Sequence, residues 1–329
     1  MRNDMKISFE KVSFPMRVPF VITGYTFTAT DTVRVTLEKD GVQGHGEGVG
    51  VYYLGDTADV MLDLLDYAKP DVEQGLSHED VQKLLPPGGA RNALDCAYWD
   101  LEAKLSGISV WDRLKLKPKG LKTVYTIGIG SADEMAKCAA DYGTYNKLKI
   151  KLDGKDPILK LEAIRAVRPD ASLIIDVNQG WTLEELKEYA PHCASLGIEM
   201  IEQPLKRGAD EELAGYRAPL PIGADESCLH ADEFDAVADY YDVINIKLDK
   251  CGGLTAGLEL AKMALKHGKR LMVGNMSGSS LSMAPAYVIG QFCDFIDIDG
   301  PLVLARDVEN PLFYSTSGVV EVPSGALWG

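Results

Sequence analysis

The sequence predicts an α/β protein, a TIM-type (β/α) barrel joined to an N-terminal α+β domain. Three observations carry that expectation. From Thr123 onward, eight short apolar runs alternate with helical periodicity, the pattern of a closed parallel barrel rather than an open sheet. Three acids, Asp176 in LIIDVNQGW, Glu202 in MIEQP and Asp225 in PIGADES, end three consecutive runs at spacings of 26 and 23 residues, about the length of one strand, one helix and two loops. The N-terminal third lacks this repeat and reads instead as paired strands followed by helices.

A chain of 329 residues, 46% hydrophobic and 25% charged, fits one large domain or two ordinary ones. The formal net charge of −15 excludes nucleic acid and an anionic membrane surface as partners. The N-terminal MRNDMKISFEK is charged and lacks an apolar core, so no signal peptide is expected, and no 18-residue apolar run predicts a membrane span. Six cysteines, at 96, 138, 193, 228, 251 and 293, form no CxxC pair. They predict reduced thiols in a cytoplasmic protein rather than zinc or a disulfide framework. The composition is also compatible with a homo-oligomer.

In chain order, Ile7–Phe14 and Asp31–Glu38 alternate as strands, the second ending in the turn Lys39-Asp40-Gly41. Helical periodicity follows in Ala58–Tyr67, His78–Leu85 and Ala90–Leu105. Residues 1–120 therefore make the α+β domain. The barrel strands are read at Thr123–Ile127, Lys147–Lys151, Leu173–Val177, Met200–Glu202, Ile222–Ala224, Val243–Lys247, Leu271–Gly274 and Phe295–Asp297, within a barrel domain of residues 121–310. Capping boxes, Ser131 with Glu134 and Thr182 with Glu185, start two of the intervening helices. Residues 311–329 return to strand and loop character and are expected to pack back on the N-terminal domain.

Consecutive strand ends place Asp176, Glu202 and Asp225 at one rim, and an oxygen-only donor set suits a hard divalent cation such as Mg²⁺. Taken singly, Asp176 could equally cap the following helix, Glu202 pair with a lysine and Asp225 be a turn acid. Asn178 and Glu226 stand beside them, placed to orient the metal-binding acids. In NKLKIKLDG, Lys147, Lys149 and Lys151 share one face, and Leu148 and Ile150 suit the helix-covered outside. The lysines then point inward, which is costly without acidic partners. In VINIKLDK the same alternation turns Val243, Asn245 and Lys247 inward, while Lys250 reads as a loop lysine. Strands two and six are opposite in an eight-strand ring, so a lysine flanks the metal on each side. A substrate carboxylate on the metal would stabilise an enediolate. A lysine brought from its usual value of about 10.4 toward 7–8 would act as the base. Two bases on opposite faces fit racemisation or epimerisation; one fits elimination or cycloisomerisation. In FIDIDGP, Asp297 and Asp299 stand at i and i+2, where both can project inward and hold a substrate ammonium.

These motifs together, LKIK, DVNQGW, IEQP, GADES and INIKLDKCGG, resemble the enolase superfamily and its muconate-lactonizing subgroup over essentially the whole chain. The resemblance implies a capping domain over a barrel, Mg²⁺ ligands at Asp176, Glu202 and Asp225, an acid/base pair at Lys151 and Lys247, and Lys149 assisting at the substrate carboxylate. ARNALDCAYWDLEAK, PIGADESCLH and DIDGPLVLARDVE look most like the dipeptide epimerases that act on L-Ala-D/L-Glu. That likeness implies a small dipeptide substrate, inversion at the C-terminal residue by two-base 1,1-proton transfer, and a substrate contact at Thr126. One feature departs from it. Epimerases acting on Ala-Glu carry an arginine in the first capping loop, and here Gly24 stands in that place within PFVITGYTFTATDT. Tyr25 and Phe27 point instead to an apolar or aromatic side chain. The alternatives are a muconate cycloisomerase or o-succinylbenzoate synthase-like enzyme, and a non-catalytic barrel that binds amino-acid-like ligands.

Overall fold

A computed structural model describes residues 5–329. The N-terminal part builds on an antiparallel sheet of β1 (Lys6–Ile22), β2 (Tyr25–Lys39) and β3 (Val42–Val49). The first two strands are longer than their alternation suggests. Pairing runs from Lys6–Glu38 to Ile22–Tyr25, with a register shift between Pro15 and Phe20. Pro15 and Pro19 cannot donate to a ladder, which explains both the shift and why the sequence reads there as loop. Gly24, at φ 78°, turns the hairpin at its far tip.

Four helices follow: α1 (Ala58–Glu73), α2 (His78–Leu84), α3 (Gly89–Ser106) and α4 (Val110–Arg113). Helix α3 lies directly on the backbone of β3. Gly44, Gly46 and Gly48 share one face of that strand, and a Cβ on them would stand 2.4 Å from Leu101 N, 2.1 Å from Ala93 O and 2.0 Å from Gly89 O. Only a strand without side chains admits the helix so closely. Ala93, Leu94, Ala97 and Leu101 then share one apolar cluster with Val33, Val35 and Leu37 of β2.

The barrel follows a short strand β4 (Leu121–Lys122), which pairs antiparallel with β13 (Val319–Val320) from the chain's end. Its staves are β5 (Tyr125–Ile127), β6 (Lys147–Lys151), β7 (Ser172–Asp176), β8 (Ile198–Glu202), β9 (Ile222–Ala224), β10 (Val243–Ile246), β11 (Arg270–Val273) and β12 (Phe295–Ile296), all parallel and in sequence order. The ring closes where Val124 N donates to Ile296 O at 2.9 Å. The intervening helices are α5 (Ala132–Asp141), α6 (Pro157–Val167), α7 (Leu183–Ser195), α8 (Ala231–Val237), α9 (Leu248–Cys251), α10 (Leu254–Lys266), α11 (Ser280–Gly290) and α12 (Gly300–Val303). Both expected capping boxes form, at α5 and α7.

Strand alternation places the side chains as expected. Leu148, Ile150, Leu173, Ile175, Ile244 and Ile246 face the helices in the main core. Val124, Ile174, Met200, Val243, Met272 and Phe295 plug the barrel interior below the polar centre. The chain's end packs on α3, where Trp328 Nε1 donates to Cys96 O at 2.9 Å and Gly329 N to Asp100 Oδ1 at 2.8 Å. All six cysteines are free thiols. Among the described residues, no helix is long and apolar enough to cross a membrane.

One ionic contact in this half predicts a pH dependence of stability. His78, only 13% exposed, sits 3.0 Å from Asp95 and 3.4 Å from Glu102. Burial works to lower its pKa, but the two carboxylates outweigh burial and push it up to about 9. A histidine raised above its usual value of about 6.5 stabilises the fold fully below that pH and loses the contribution as pH rises through 9. The contact is worth at most about 3 kcal/mol. His78→Ala should therefore lower the melting temperature clearly at pH 6 and little at pH 10. An equal gap at both values would show that the imidazolium contributes nothing.

Candidate active site

The acids at the ends of β7, β8 and β9 meet at the centre of the barrel rim. Asp176 and Glu202 are wholly buried and Asp225 nearly so. One oxygen from each lies within 4.8 Å of the others. Lysines from either side face them. Lys151 Nζ stands 2.6 Å from Asp176 Oδ2 and 3.0 Å from Asn178 Oδ1. Lys247 Nζ stands 2.7 Å from Asp225 Oδ2. Lys149 lies beneath, 3.1 Å from Asp176, 2.8 Å from Glu202 and 2.7 Å from Asp297. The strand alternation read from LKIK and INIK is what turns these three lysines inward.

The charges set the carboxyl groups apart. Burial raises Glu202 to about 7, with Asp176 adding to the rise. Burial likewise lifts Asp176, but Lys151 and Lys149 outweigh it and bring Asp176 down to about 2. Lys247 and Lys250 hold Asp225 well below the usual range, against burial. Burial beside Asp225 raises Glu226 to about 8. Two of the lysines, Lys149 and Lys247, answer to carboxylates of the same cluster. Burial favours their neutral form, but Asp297 and Asp225 face the ammonium groups of Lys149 and Lys247 directly and hold both well above the ordinary lysine value.

The donor set fits a hard divalent cation. It is all oxygen, converges from three strands, and leaves Glu202 Oε2 with no aligned hydrogen-bond donor although Lys149 Nζ is 2.8 Å away. Glu202 Oε1 is fixed by Asn245 Nδ2 at 2.7 Å, so the free oxygen stays turned toward the other acids. Asn178 links the two sides, accepting from Lys151 and donating from Nδ2 to Glu226 Oε1 at 3.2 Å.

Above this floor lies a cavity of about 360 Å³. Lys151, Asn178, Asp225, Glu226, Lys247 and Asn275 form its polar side. Phe20, Ile22 and Phe27 from the hairpin, with Tyr52 and Tyr53 from the turn after β3, form its outer wall. Gly24 and Tyr25 lie outside that lining. Gly24 is at the hairpin tip with nothing within 4 Å of where a Cβ would stand. Tyr25 is 44% exposed and reaches the cavity through its ring contacts with Tyr52 and Phe27, centroids 4.4 and 6.2 Å apart. Phe27, two residues further into β2, does line it.

Thr126, Asp297 and Asp299 are buried behind the lining. Asp299 Oδ2 accepts from Thr126 N at 2.7 Å, and Asn275 Nδ2 stands 3.1 Å from Asp297 Oδ1 and 3.4 Å from Asp299 Oδ1. Burial and Asp297 raise Asp299 to about 7.

Sequence reasoning missed several residues. Lys250 is no loop lysine: it is buried in α9, and its Nζ donates at 2.6 Å to both Asp225 Oδ1 and Asp225 O. Its spacing of three from Lys247 was the available signal, since one helical turn carries it back toward the barrel. Gln203, at φ 37°, accepts from Asp225 N and Ser227 N through Oε1, at 2.9 and 3.0 Å, and so fixes the loop that carries Asp225. Tyr52 and Tyr53 carried no local signal.

Profiles of known families match most of the chain. The mandelate racemase/muconate lactonizing enzyme N-terminal domain matches residues 5–114, and the enolase C-terminal domain-like profile matches residues 131–326. The chain is 40% identical to the L-Ala-D/L-Glu epimerase of Escherichia coli (strain K12), over 92% of this chain and 96% of that one. Its fold superposes with a TM-score of 0.96 and 38% identity on an enolase family member from Agrobacterium tumefaciens with homology to dipeptide epimerases, with bound sodium and L-Ala-L-Glu, covering 99% of this chain and 100% of that chain. It superposes at 0.91 and 26% identity on a dipeptide epimerase from Enterococcus faecalis V583 complexed with Mg and L-Leu-L-Tyr, covering 98% and 97%.

Mg²⁺ at a hundred times its dissociation constant should stabilise the protein by about 2.7 kcal/mol and raise its melting temperature. Glu202→Gln should abolish that rise, and titration calorimetry should register no binding to the variant. A melting temperature that ignores Mg²⁺ in the unmodified protein would reject these acids as a cation site.

Proposed function

The chain belongs to the mandelate racemase/muconate lactonizing enzyme family, and on that premise we propose that it is a Mg²⁺-dependent dipeptide epimerase. The observation that carries this reading is the pair of lysines, Lys151 and Lys247, on facing sides of one cavity with three buried carboxylates between them. Asp176, Glu202 and Asp225 hold the cation. When bound, the cation supplies the positive charge that stabilises negative charge developing on the substrate carboxylate.

The chain's own residues do the rest. Lys149 orients the substrate carboxylate from below. Lys151 and Lys247 flank the α-carbon of the C-terminal residue. One removes its proton, and the other delivers a proton to the opposite face, which inverts the centre. Asn178 and Glu226 keep the Lys151 side in register with the acids. Asp297 and Asp299, with Thr126 beside them, receive the N-terminal ammonium, reached past Asn275. The side chain of the inverted residue points outward to the hairpin and to Tyr52 and Tyr53, which exclude water from the reacting carbon.

That outer wall selects a neutral side chain. Among the described residues, the only cations lining the cavity are Lys151 and Lys247. Of the outer acids, Asp31 is paired with Lys11 at 2.9 Å, and Asp56 accepts from Gly89 N at 2.9 Å. A distal carboxylate finds no bidentate partner there, whereas Phe27 and Tyr52 offer aromatic faces.

Lys151→Ala should lower epimerisation by about 10²–10⁴-fold, measured by polarimetry or by chiral chromatography of the product. Full retention would remove the two-base mechanism. L-Ala-L-Phe should be turned over with a higher kcat/KM than L-Ala-L-Glu. Equal or better turnover of the acidic dipeptide would reject the neutral-side-chain assignment while leaving the epimerase intact.

A further inference from the structure

Helix α9 is a single turn that begins immediately after Lys247, and its backbone bonds define where that lysine stands. The Lys247 carbonyl accepts from Lys250 N at 3.0 Å and Cys251 N at 3.1 Å. From the barrel side, Lys250 ties the turn to Asp225. From the other side, the N-terminal domain grips it at both ends. At its start, Asp249 Oδ1 accepts from Val49 N at 2.8 Å and from Asn92 Nδ2 at 2.7 Å. At its end, Arg91 Nη2 donates to Cys251 O at 2.6 Å, and Arg91 Nε to Gly252 O at 3.2 Å. A Cβ at Gly252 would stand 2.2 Å from Arg91 Nε, so the glycine is what lets the arginine in. Asp249, Asn92 and Arg91 are all buried.

Asp249 differs from the other contacts in what it joins. Val49, whose amide it holds, lines the cavity together with Gly50, Tyr52 and Tyr53. One carboxylate oxygen therefore connects the turn carrying Lys247 to the strand end carrying the outer wall. Lys151 is held differently: it ends β6, paired with Asp176 of β7, and the cap meets it through a separate contact, Thr23 Oγ1 donating to the carbonyl of the next residue, Leu152, at 3.1 Å. Burial raises the Asp249 carboxyl to about 7, with Asp56 and Glu47 adding to the rise against the two hydrogen bonds.

We propose that Asp249 is a positioning residue for Lys247, so that this one contact with the cap sets the geometry of one of the two bases and not of the other. This rests on the epimerase reading above. It predicts an asymmetry that a merely structural role would not produce. A displacement of about 1 Å at a catalytic group can cost on the order of 10²-fold in rate, and here that loss falls on one face of the substrate.

The test is exchange of the α-proton in D₂O, read by mass spectrometry separately for the L,L and L,D diastereomers of one dipeptide. Lys151→Ala and Lys247→Ala calibrate which diastereomer each lysine deprotonates. Asp249→Ala should slow exchange of the Lys247-dependent diastereomer at least about tenfold more than that of the other, with kcat lowered more than KM is changed. Asp249→Asn keeps Oδ1 as acceptor for both bonds and should restore exchange to within about threefold of the unmodified protein. Should Asp249→Ala not fold, Asn92→Ala removes the second donor and should show the same asymmetry. Equal slowing of both diastereomers, or no slowing, overturns the positioning role and leaves the epimerase reading standing. Absence of exchange on any dipeptide by the unmodified protein overturns both.

Discussion

Buried charge is the constraint on which the rest of this structure depends. Asp176, Glu202 and Asp225 have almost no contact with solvent, and carboxylates so placed are sustained only by close cations. Lys149, Lys151, Lys247 and Lys250 supply them, each within hydrogen-bond reach of at least one of the three acids. Acids and lysines must therefore be delivered to one point from five adjacent strands. The parallel barrel does this because every stave ends at the same rim. The apolar plug of Ile174, Met200, Val243 and Met272 beneath closes the interior to water. Removing any one partner would leave the others uncompensated, so the centre is a single electrostatic unit rather than a list of side chains.

The division of labour between the two halves follows from this. The barrel supplies charge on rigid strands; the N-terminal domain supplies shape. Phe20, Ile22 and Phe27 arrive on the two arms of a hairpin, and Tyr52 and Tyr53 on the turn after β3. Thr23 anchors the hairpin to the rim by donating from Oγ1 to Leu152 O at 3.1 Å and Val177 O at 3.2 Å. The two halves thus meet at the cavity mouth and again at α9. The chain's end reinforces the joint by bonding α3 from below.

How much of this was legible in the sequence depends on how local each signal is. Asp176, Glu202 and Asp225 could be found because a barrel strand is short, apolar and ends at the rim, so an acid after such a run has one place to go. Lys149 and Lys151 were legible because alternation leaves an inward side chain no other choice once Leu148 and Ile150 face the helices. Lys250 was not, because the alternation stops at Ile246 and a four-residue helix replaces it. The hairpin's far arm was hidden by two prolines that interrupt its ladder. Tyr52 and Tyr53 belong to the site only through the docking of one half on the other, a relation that no local pattern encodes.

The bare face of β3 has an evolutionary consequence. With α3 resting on peptide backbone at Gly44, Gly46 and Gly48, selection has no intermediate steps available there: the smallest side chain already collides with the helix. The hairpin tip is limited differently, since a Cβ at Gly24 would meet nothing and only the left-handed φ of 78° disfavours one. Heritable variation in this domain is thus channelled away from its seat and toward its free end. A side chain added at the tip strains one turn, whereas one added at the seat displaces a whole helix.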